Sequence, residues 1–492
     1  MHIHKVKMRN ASPIDLESAV SLLRKRFGTD FDRTYVENVI IPNFLASTYE
    51  GERLFVPMID LKFTKENALS RDLWGLLNES WKPAPELGVT VFLQALEKRG
   101  PENRRKRIYM SALTPDLYRP MYGDKVVQFF ERLLHESNAG KPLMRPYLES
   151  YFHLFWDLHL GVKGDSIPRN VRELGQSFNT VLAYRDPTLR IVYDNYMRVR
   201  SHFPFLKQWI DGRVDDLLNG KTPNPEQTFV YWWIRNSGDG EHFTRKDVVF
   251  EVIHNLMALS QWGSTLYSVV RRLSKETGDP DTRAWFKKTM EGQYDDASGE
   301  AFTPLERFVM ELFRVISPNN GSISVLEEVR TPPYPRVGYV VSPHAATSLH
   351  AGHWEYPERF DPDRYNKVPT SHQVDEAKCK QMGFAKCPFD RTRFEIEDGR
   401  KAAIYNSAFG TAYAIVDGNP LPVCDYVGFA PFGFGYRRCP AEQLTIKVFE
   451  DFLRKVWNSK IELKKLDIAN PELLPIGPTT VAGDDVGFIR AT

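Results

Sequence analysis

The sequence predicts a mainly α-helical protein with a smaller β region, and three apolar helical runs carry that prediction. Thr244 and Asp247 form a capping pair, after which apolar residues continue to position 273 as one long central helix. A capping box with proline at its first helical position begins a second helix over 303–316. In the third run, 444–457, apolar residues recur at the spacing of one buried helix face.

The remaining predicted elements are shorter and include all of the β region. In chain order they are a helix at 14–27, a strand at 53–63, a helix at 64–77, a sheet-forming run at 322–349 and a hairpin at 394–405. The hairpin is predicted to turn at Asp398-Gly399, because that dipeptide accepts the backbone angles of a tight turn.

Composition excludes several classes of protein. The 492 residues are 42% hydrophobic and 13% aromatic, which is ample for a large core and excludes a disordered chain. The net charge of +2 gives no general attraction to nucleic acid. Four cysteines are too few for a disulfide-built secreted protein. The polar N-terminus and the lack of any long apolar run predict a soluble, cytoplasmic protein without a membrane span.

The segment most indicative of chemistry is the glycine-rich loop 432–441, which delivers Cys439 to the start of the third helical run. A helix N-terminus stabilises a thiolate, which is the form of cysteine that ligates a metal. For most cysteines the alternative, a buried structural residue, is the better interpretation. The surrounding pattern reverses that preference here.

This loop resembles the haem-thiolate loop of the cytochrome P-450 family, Phe-x-x-Gly-x-Arg-x-Cys-x-Gly. Phe432, Gly435, Arg437 and Cys439 occupy the matching positions, and Ala441 replaces the last glycine. The resemblance implies a single cytochrome P-450 domain over 1–492. It also implies haem b between the long central helix and the cysteine-loop helix, with Cys439 as the iron ligand. The segment 366–431 is then an enlarged region before the loop.

In register with the family, residues 103–107 correspond to the Trp-x-x-x-Arg segment that binds a haem propionate. Arg107 matches the arginine, and Asn103 stands where tryptophan is usual. A guanidinium pairs well with a carboxylate, so Arg107 is the stronger of the two predictions. The intervening basic residues 104–106 are either a solvated face or a docking surface for an acidic electron donor.

The central helix departs from the family at its acid–alcohol motif. Counted from the cap, Ala258 falls on the small residue of that motif, and Gln261 and Trp262 stand in place of the acid and the alcohol. A two-residue shift would place Gly263 and Ser264 there instead. Either register lacks the carboxylate that the family uses to relay protons.

Two Glu-x-x-Arg patterns compete for the family's buried ion cluster. Glu311 and Arg314 lie on the well-capped helix 303–316, whereas Glu327-x-x-Arg330 precedes two prolines in a stretch better suited to a strand. We therefore choose Glu311 and Arg314, with Arg364 of the Pro-Glu-Arg-Phe segment as their partner. The predicted role of these three residues is to hold the cysteine loop in place.

Three functions follow from the resemblance. The first is a monooxygenase that acts on a lipophilic small molecule with electrons from a separate reductase of ferredoxin or flavodoxin type. The second is a haem-thiolate enzyme that uses peroxide or a hydroperoxide, as a peroxygenase, isomerase, dehydratase or lyase. The third is a non-enzymatic haem or ligand binder. The family's commonest reaction favours the first, and the missing acid–alcohol pair favours the second.

Overall fold

The computed structural model describes most of the chain from residue 105 onward and two short strands before it. The described residues are 4–7, 52–57, 105–184, 190–238, 243–297, 302–318, 321–326, 338–343, 348–349, 354–366, 393–395, 401–406, 412–416, 419–424, 429, 431–432, 439–478 and 480–490. The helices predicted at 14–27 and 64–77 lie outside them.

Helices account for most of the described residues, which confirms the predicted fold class. In chain order they are α1 (Arg105–Met110), α2 (Pro115–Leu117), α3 (Asp124–Leu133), α4 (Met144–Leu160), α5 (Arg169–Tyr184), α6 (Arg190–Leu218), α7 (Phe229–Asn236), α8 (Arg245–Ala258), α9 (Gln261–Leu273), α10 (Pro280–Glu291), α11 (Pro304–Ile316) and α12 (Glu442–Asn458). A π-helical turn, Tyr118–Gly123, joins α2 to α3. Within the described ranges, no helix combines the length and apolar character needed to cross a bilayer.

The strands form small antiparallel sheets. They are β1 (His4–Lys7), β2 (Glu52–Pro57), β3 (Gly321–Leu326), β4 (Gly338–Pro343), β5 (Arg393–Glu395), β6 (Lys401–Asn406), β7 (Ala412–Val416), β8 (Asn419–Cys424), β9 (Ile461–Lys465), β10 (Leu473–Gly477), β11 (Thr480–Gly483) and β12 (Val486–Arg490). One sheet has the order β1-β2-β4-β3, and β5 to β8 form a second four-stranded sheet in sequence order. The predicted hairpin is confirmed as β5–β6, and β7 and β8 extend it.

The predicted helix starts are present in the structure. Thr303 accepts a hydrogen bond from the Glu306 amide at the start of α11, with Pro304 in the first turn. Thr244 and Asp247 form a reciprocal capping box at the start of α8. These caps satisfy backbone donors that have no partner within the helix, so the two helices start where the sequence predicts.

The predicted central helix is present, but it divides into α8 and α9 at Leu259–Ser260, a break that the sequence pattern does not predict. The amides of Trp262 and Gly263 bond to carbonyls three residues back instead of four, at 3.1 Å each. The Ser260 hydroxyl donates to the Met257 carbonyl at 2.6 Å, a local bond that competes with regular helix geometry. Both flanking residues keep right-handed helical angles, so the break is a tightened turn.

The cysteine-loop helix α12 packs between α11 and α3. Phe313 of α11 lies 5.4 Å from Phe449 of α12 in an edge-to-face contact, and Phe130 of α3 lies 5.2 Å from Phe452, centroid to centroid. These aromatic pairs fix the helix that follows Cys439 against the core.

Candidate functional site

Cys439 carries a thiol and lies three residues before α12, half-buried. Its amide donates to the Phe432 carbonyl at 2.7 Å, which closes the two ends of the loop onto each other. Phe432 in turn packs against Phe313 at 5.6 Å, so the start of the loop is held by α11. Gly435 and Arg437 lie outside the described residues. The loop that carries the thiol is therefore anchored at Phe432 and closed at Cys439.

Tyr109 of α1 is buried against the central helix, where its hydroxyl bonds to Asn255 of α8. Burial raises the pKa of Tyr109 well above its usual value, and the negative charges of Glu251 and of an ionised Cys439 raise it further.

A hydrogen-bonded chain of three buried side chains joins α1, α8 and α4. One backbone carbonyl determines which group donates in each of its bonds. The Phe155 carbonyl can only accept, so His159 donates to it from Nδ1 at 2.8 Å. Burial lowers the pKa of His159 to about 3, so the ring is neutral and its Nε2 accepts from the Asn255 amide at 3.0 Å. The Asn255 carbonyl oxygen then accepts from the Tyr109 hydroxyl at 2.5 Å.

The central helix also carries a buried acid–imidazole pair. Glu251 is fully buried in α8, and its Oε2 lies 2.7 Å from Nδ1 of His254, one turn further on. The His254 ring stacks on Tyr109 with centroids 6.4 Å apart. The central run thus lacks a carboxylate at the motif position Gln261 but holds one, Glu251, nearly three turns earlier.

The predicted motif residues have differing environments. Ala258, at the end of α8, is exposed, although every other residue from 248 to 260 is buried. Trp262 is buried and donates its indole N–H to Thr445 of α12 at 3.1 Å, which links the central run to the cysteine helix. Gln261 is half-buried, and its side-chain oxygen accepts from the Ser264 hydroxyl at 3.1 Å. These contacts favour a packing role for Trp262.

The structure brings Glu311, Arg314 and Arg364 into one buried cluster. Arg314 binds both Glu311 oxygens at 2.8 Å from Nε and Nη2, and Arg364 Nε adds a bond of 3.0 Å. The Asp361 amide and the Tyr365 hydroxyl also donate to this carboxylate, at 2.9 and 3.2 Å. The competing Glu327 lies outside the described residues.

The same two guanidinium groups also organise the chain that precedes the cysteine loop. Arg314 donates to the carbonyls of Ser348, Pro357 and Arg359. Burial alone would lower the pKa of Arg314, but hydrogen bonding and the charge of Glu311 raise it overall. Because Phe313 of the same helix packs on Phe432, the cluster and the cysteine loop share one support.

The two predicted propionate residues are only partly covered. Arg107 lies in α1, of which the backbone is described at that position, and Asn103 lies outside the described residues. Tyr109, two residues further along α1, is fixed to Asn255 and also accepts a bond from Trp233 at its carbonyl oxygen, at 3.0 Å. The helix that carries Arg107 is therefore anchored to the central helix.

The described residues fit a haem in two respects. A single half-buried thiol at a helix start is a suitable axial donor to iron. An exposed alanine within an otherwise buried helical stretch leaves room for a flat group beside α8. Ala258 lies one turn from Asn255, whose partner Tyr109 interacts with the Cys439 charge.

Sequence reasoning missed five buried polar residues of this region, which are Tyr109, His159, Glu251, His254 and Asn255. A signal was present for three of them, because Glu251, His254 and Asn255 interrupt an apolar run at the spacing of one helix face. Tyr109 and His159 gave no local signal, since their partners lie 146 and 96 residues away.

The arrangement of these elements is the cytochrome P450 fold. Similar solved structures include a retinoic acid-bound cyanobacterial CYP120A1, at 13% identity, 80% of each chain and a TM-score of 0.52. A zebra fish cytochrome P450 with abiraterone has 13% identity over 92% of this chain and 99% of that one, with a TM-score of 0.52. The haem domain of cytochrome P450DA has 13% identity over 92% and 87%, with a TM-score of 0.51. No family model and no curated protein matches the sequence.

Proposed function

We propose that this chain is a haem-thiolate oxidoreductase in which Cys439 ligates the iron of haem b. The observation that carries the proposal is the Cys439 thiol, held by Phe432 at the start of α12 in a cytochrome P450 fold. A haem bound through thiolate supplies oxygen-activating chemistry, because the thiolate donates electron density that favours O–O cleavage.

The chain's own residues would then position and support the cofactor. Arg107, with Asn103 as the weaker candidate, would pair with a haem propionate. The Tyr109–Asn255–His159 chain would hold α1 against the central helix. Glu311, Arg314 and Arg364 would hold the approach to the cysteine loop through α11. Their role in this proposal is structural.

The reaction that we favour is monooxygenation of a lipophilic small molecule, with electrons from a separate ferredoxin- or flavodoxin-type donor. Such a reaction consumes protons, and on the central helix the Glu251 carboxylate lies within hydrogen-bond distance of the His254 imidazole, the geometry that proton transfer requires. The proton would be held between Glu251 Oε2 and His254 Nδ1.

A second candidate, a peroxide- or hydroperoxide-using enzyme, is favoured by a specific observation at the motif positions. The Trp262 indole N–H is already bonded to Thr445, and the Gln261 oxygen already accepts from Ser264. Neither side chain titrates in the physiological range, so neither can relay protons as an acid–alcohol pair does. A peroxide substrate brings its O–O bond with it and needs no such relay.

The haem assignment is tested by spectroscopy. The purified protein should bind one haem b, and its reduced carbonyl complex should absorb at the thiolate-specific position for which the family is named. Cys439→His should abolish that absorption, because imidazole does not donate charge as a thiolate does. Cys424→Ser is the matched control, since it changes a cysteine of β8 outside the loop. A thiolate spectrum that survives in Cys439→His would refute the proposal.

A further inference from the structure

A polar cavity lies between the C-terminal ends of α4 and α6 and the loop that joins α6 to α7. Its volume is about 350 Å³, which lies in the range of small-molecule pockets. None of its lining residues belongs to the candidate haem site.

Positive charge exceeds negative charge in the lining of this cavity. Its charged side chains are Lys125, Lys163, Arg213, Lys221, Asp157 and Asp216. Asp157 is shared by Lys125 at 2.8 Å and Lys163 at 3.7 Å. Asp216 is likewise shared by Arg213 at 2.9 Å and Lys221 at 3.8 Å. Each lining carboxylate therefore has two cations, and the lining keeps an excess of positive charge that the neighbouring Glu226, whose charge acts on Lys125, only partly offsets.

One of these cations has a buried donor with no acceptor. Arg213 pairs with Asp216 through Nη1, but its Nε is buried and has no hydrogen-bond partner within the described part of the chain. That atom is closed to solvent, whereas the Arg213 side chain as a whole is 40% exposed, so an anion in the cavity would meet the outer edge of the guanidinium. The two Nη groups of that edge can bind two oxygens of one anion.

The wall of the cavity is built from fixed groups. Lys125 is only 9% exposed, and its ammonium donates to the carbonyls of Asp157 and Gln227 at 2.9 and 2.8 Å. Asp157 Oδ1 contacts Lys125 as an ion pair that lacks the alignment of a hydrogen bond. Gly161 ends α4 at φ +68°, where a Cβ would lie 2.9 Å from the Thr222 methyl. The C-terminal end of α4 and the loop after α6 are therefore in close contact at Gly161 and Thr222.

We propose that this cavity binds the phosphate group of a small organic phosphate monoester. A phosphate monoester carries close to two negative charges at neutral pH, which complements the positive lining of the cavity. Its oxygens would accept from the exposed edge of the Arg213 guanidinium and from the ammonium groups of Lys163 and Lys221. The organic part would occupy the rest of the volume beside the uncharged polar side chains Ser166, Thr222, Asn224 and Gln227.

The test uses the full-length protein with phenyl phosphate as the probe, at constant ionic strength, with calorimetric titration and the thermal unfolding midpoint as readouts. Phenyl phosphate should bind and raise the unfolding midpoint in proportion to its occupancy. Benzenesulfonate, a monoanion of the same shape, should bind about tenfold more weakly. Inorganic phosphate should also bind more weakly than phenyl phosphate, because it leaves most of the cavity empty. No binding of phenyl phosphate, or equal affinity for benzenesulfonate, would overturn the proposal.

Variants separate a specific site from general attraction. Arg213→Gln should weaken phenyl phosphate binding at least about tenfold, because a charge-assisted pair of hydrogen bonds is lost. The double variant Lys163→Gln with Lys221→Gln changes only exposed side chains, so a folded protein is expected, and it should weaken binding similarly. Lys287→Gln is the matched control, since Lys287 is as exposed as Lys163 (70%) and lies equally far from its carboxylate, 3.7 Å from Glu291. Equal weakening by the control would show general attraction and overturn the site.

Discussion

Glu311 is a carboxylate with no exposure to solvent, and its charge is satisfied by groups from two parts of the chain. Arg314 comes from the same helix, while Asp361, Arg364 and Tyr365 come from the segment about 50 residues further on. Removal of either partner leaves the other charge buried and unpaired, which costs far more than the pair contributes when it is intact.

We therefore expect Glu311→Ala and Arg364→Ala each to lower the free energy of unfolding by roughly 3–5 kcal/mol. Urea titration measures this loss, and haem content after purification should fall in parallel. Glu327→Ala, in the competing Glu-x-x-Arg pattern, is the control and should have a mild effect. Equal losses of stability in the Glu311 and Glu327 variants would contradict the assignment of the buried ion cluster to Glu311 alone.

His159, in contrast to the charged Glu311, is compatible with the folded protein only while its side chain is neutral. Burial lowers its pKa from 6.5 to about 3 in the folded protein. The unfolded chain therefore binds a proton at this residue between about pH 6.5 and pH 3, and the folded chain does not. At high pH, His159 is neutral in both the folded and the unfolded chain and costs no stability. As the pH falls through this window, protonation favours the unfolded chain, so the free energy of unfolding decreases.

From pH 7 to pH 5, this one residue should reduce the free energy of unfolding by about 2 kcal/mol. Urea unfolding at both pH values measures the reduction, and His159→Gln should remove this part of it. His202→Gln is the matched control, since His202 is only half-buried and also contacts the carbonyl four residues back, at 2.9 Å. If the free energy of unfolding falls by the same amount from pH 7 to pH 5 in His159→Gln and in the control, His159 is not held neutral in the folded protein.

Among the elements, the central run shows why pattern alone could not give the full structure. Its apolar periodicity predicts a helix from 248 to 273, and helix is found on both sides of the break. The break depends on Ser260, whose hydroxyl bonds to Met257 and to Asn179 of α5. Partners from distant elements leave no trace in the local periodicity.

The same contrast holds at the candidate site. The cap at Thr303 follows from local signals, and these signals also decide for Glu311 over Glu327. The pairing of Glu311 with Arg364 follows from the family resemblance. The hairpin at 394–405 also follows from its strand pattern, whereas its extension by β7 and β8 was not predicted. The Tyr109–Asn255–His159 chain could not be predicted, because each bond joins residues from separate helices.

The second half of the central run packs against the C-terminal strands through Gly263. A Cβ at this position would lie 2.1 Å from the backbone carbonyl oxygen of Ile476 in β10, and neither group can turn aside. Gly263→Ala should therefore push α9 and β10 apart and destabilise the protein by about 1–3 kcal/mol. The unfolding midpoint in urea measures this effect.

Gly212→Ala is the matched control for that experiment. Gly212 also lies inside a helix, α6, but a Cβ there would meet nothing within 4 Å. Alanine should stabilise that helix by about 0.5–1 kcal/mol, because it restricts the unfolded chain. If both variants change the free energy of unfolding in the same direction, close packing of Gly263 does not control the position of α9.

At the scale of the whole molecule, three layers meet around Cys439. The Glu311 cluster and α11 support the cysteine loop, and α12 follows the thiol into the core. Trp262 of α9 joins the central run to α12 through its bond to Thr445. The likeness to solved cytochrome P450 structures at 13% identity is a likeness of fold. A departure from the family motif lies in the central run, where Gln261 and Trp262 stand at the positions of the acid and the alcohol.

That departure separates the two candidate reactions, because only monooxygenation requires protons and outside electrons together. With a ferredoxin- or flavodoxin-type donor chain and lauric acid as a lipophilic probe, the wild-type protein should form hydroxylated product in proportion to NAD(P)H consumed. Glu251→Gln keeps the shape of the side chain but cannot hold a proton with His254 Nδ1. It should lower NAD(P)H-driven product formation by about a hundredfold.

Turnover with hydrogen peroxide or a fatty-acid hydroperoxide, without any electron donor, provides the internal control. Because this route does not draw on the Glu251–His254 pair, Glu251→Gln should leave the peroxide-driven rate unchanged, and that rate also reports whether the variant is folded. If the wild-type protein turns over peroxide but couples NAD(P)H oxidation poorly to product, the second candidate replaces the first. The buried carboxylate of Glu251 would then have a structural role, and the unreactive pair Gln261 and Trp262 would agree with a site that needs no proton relay.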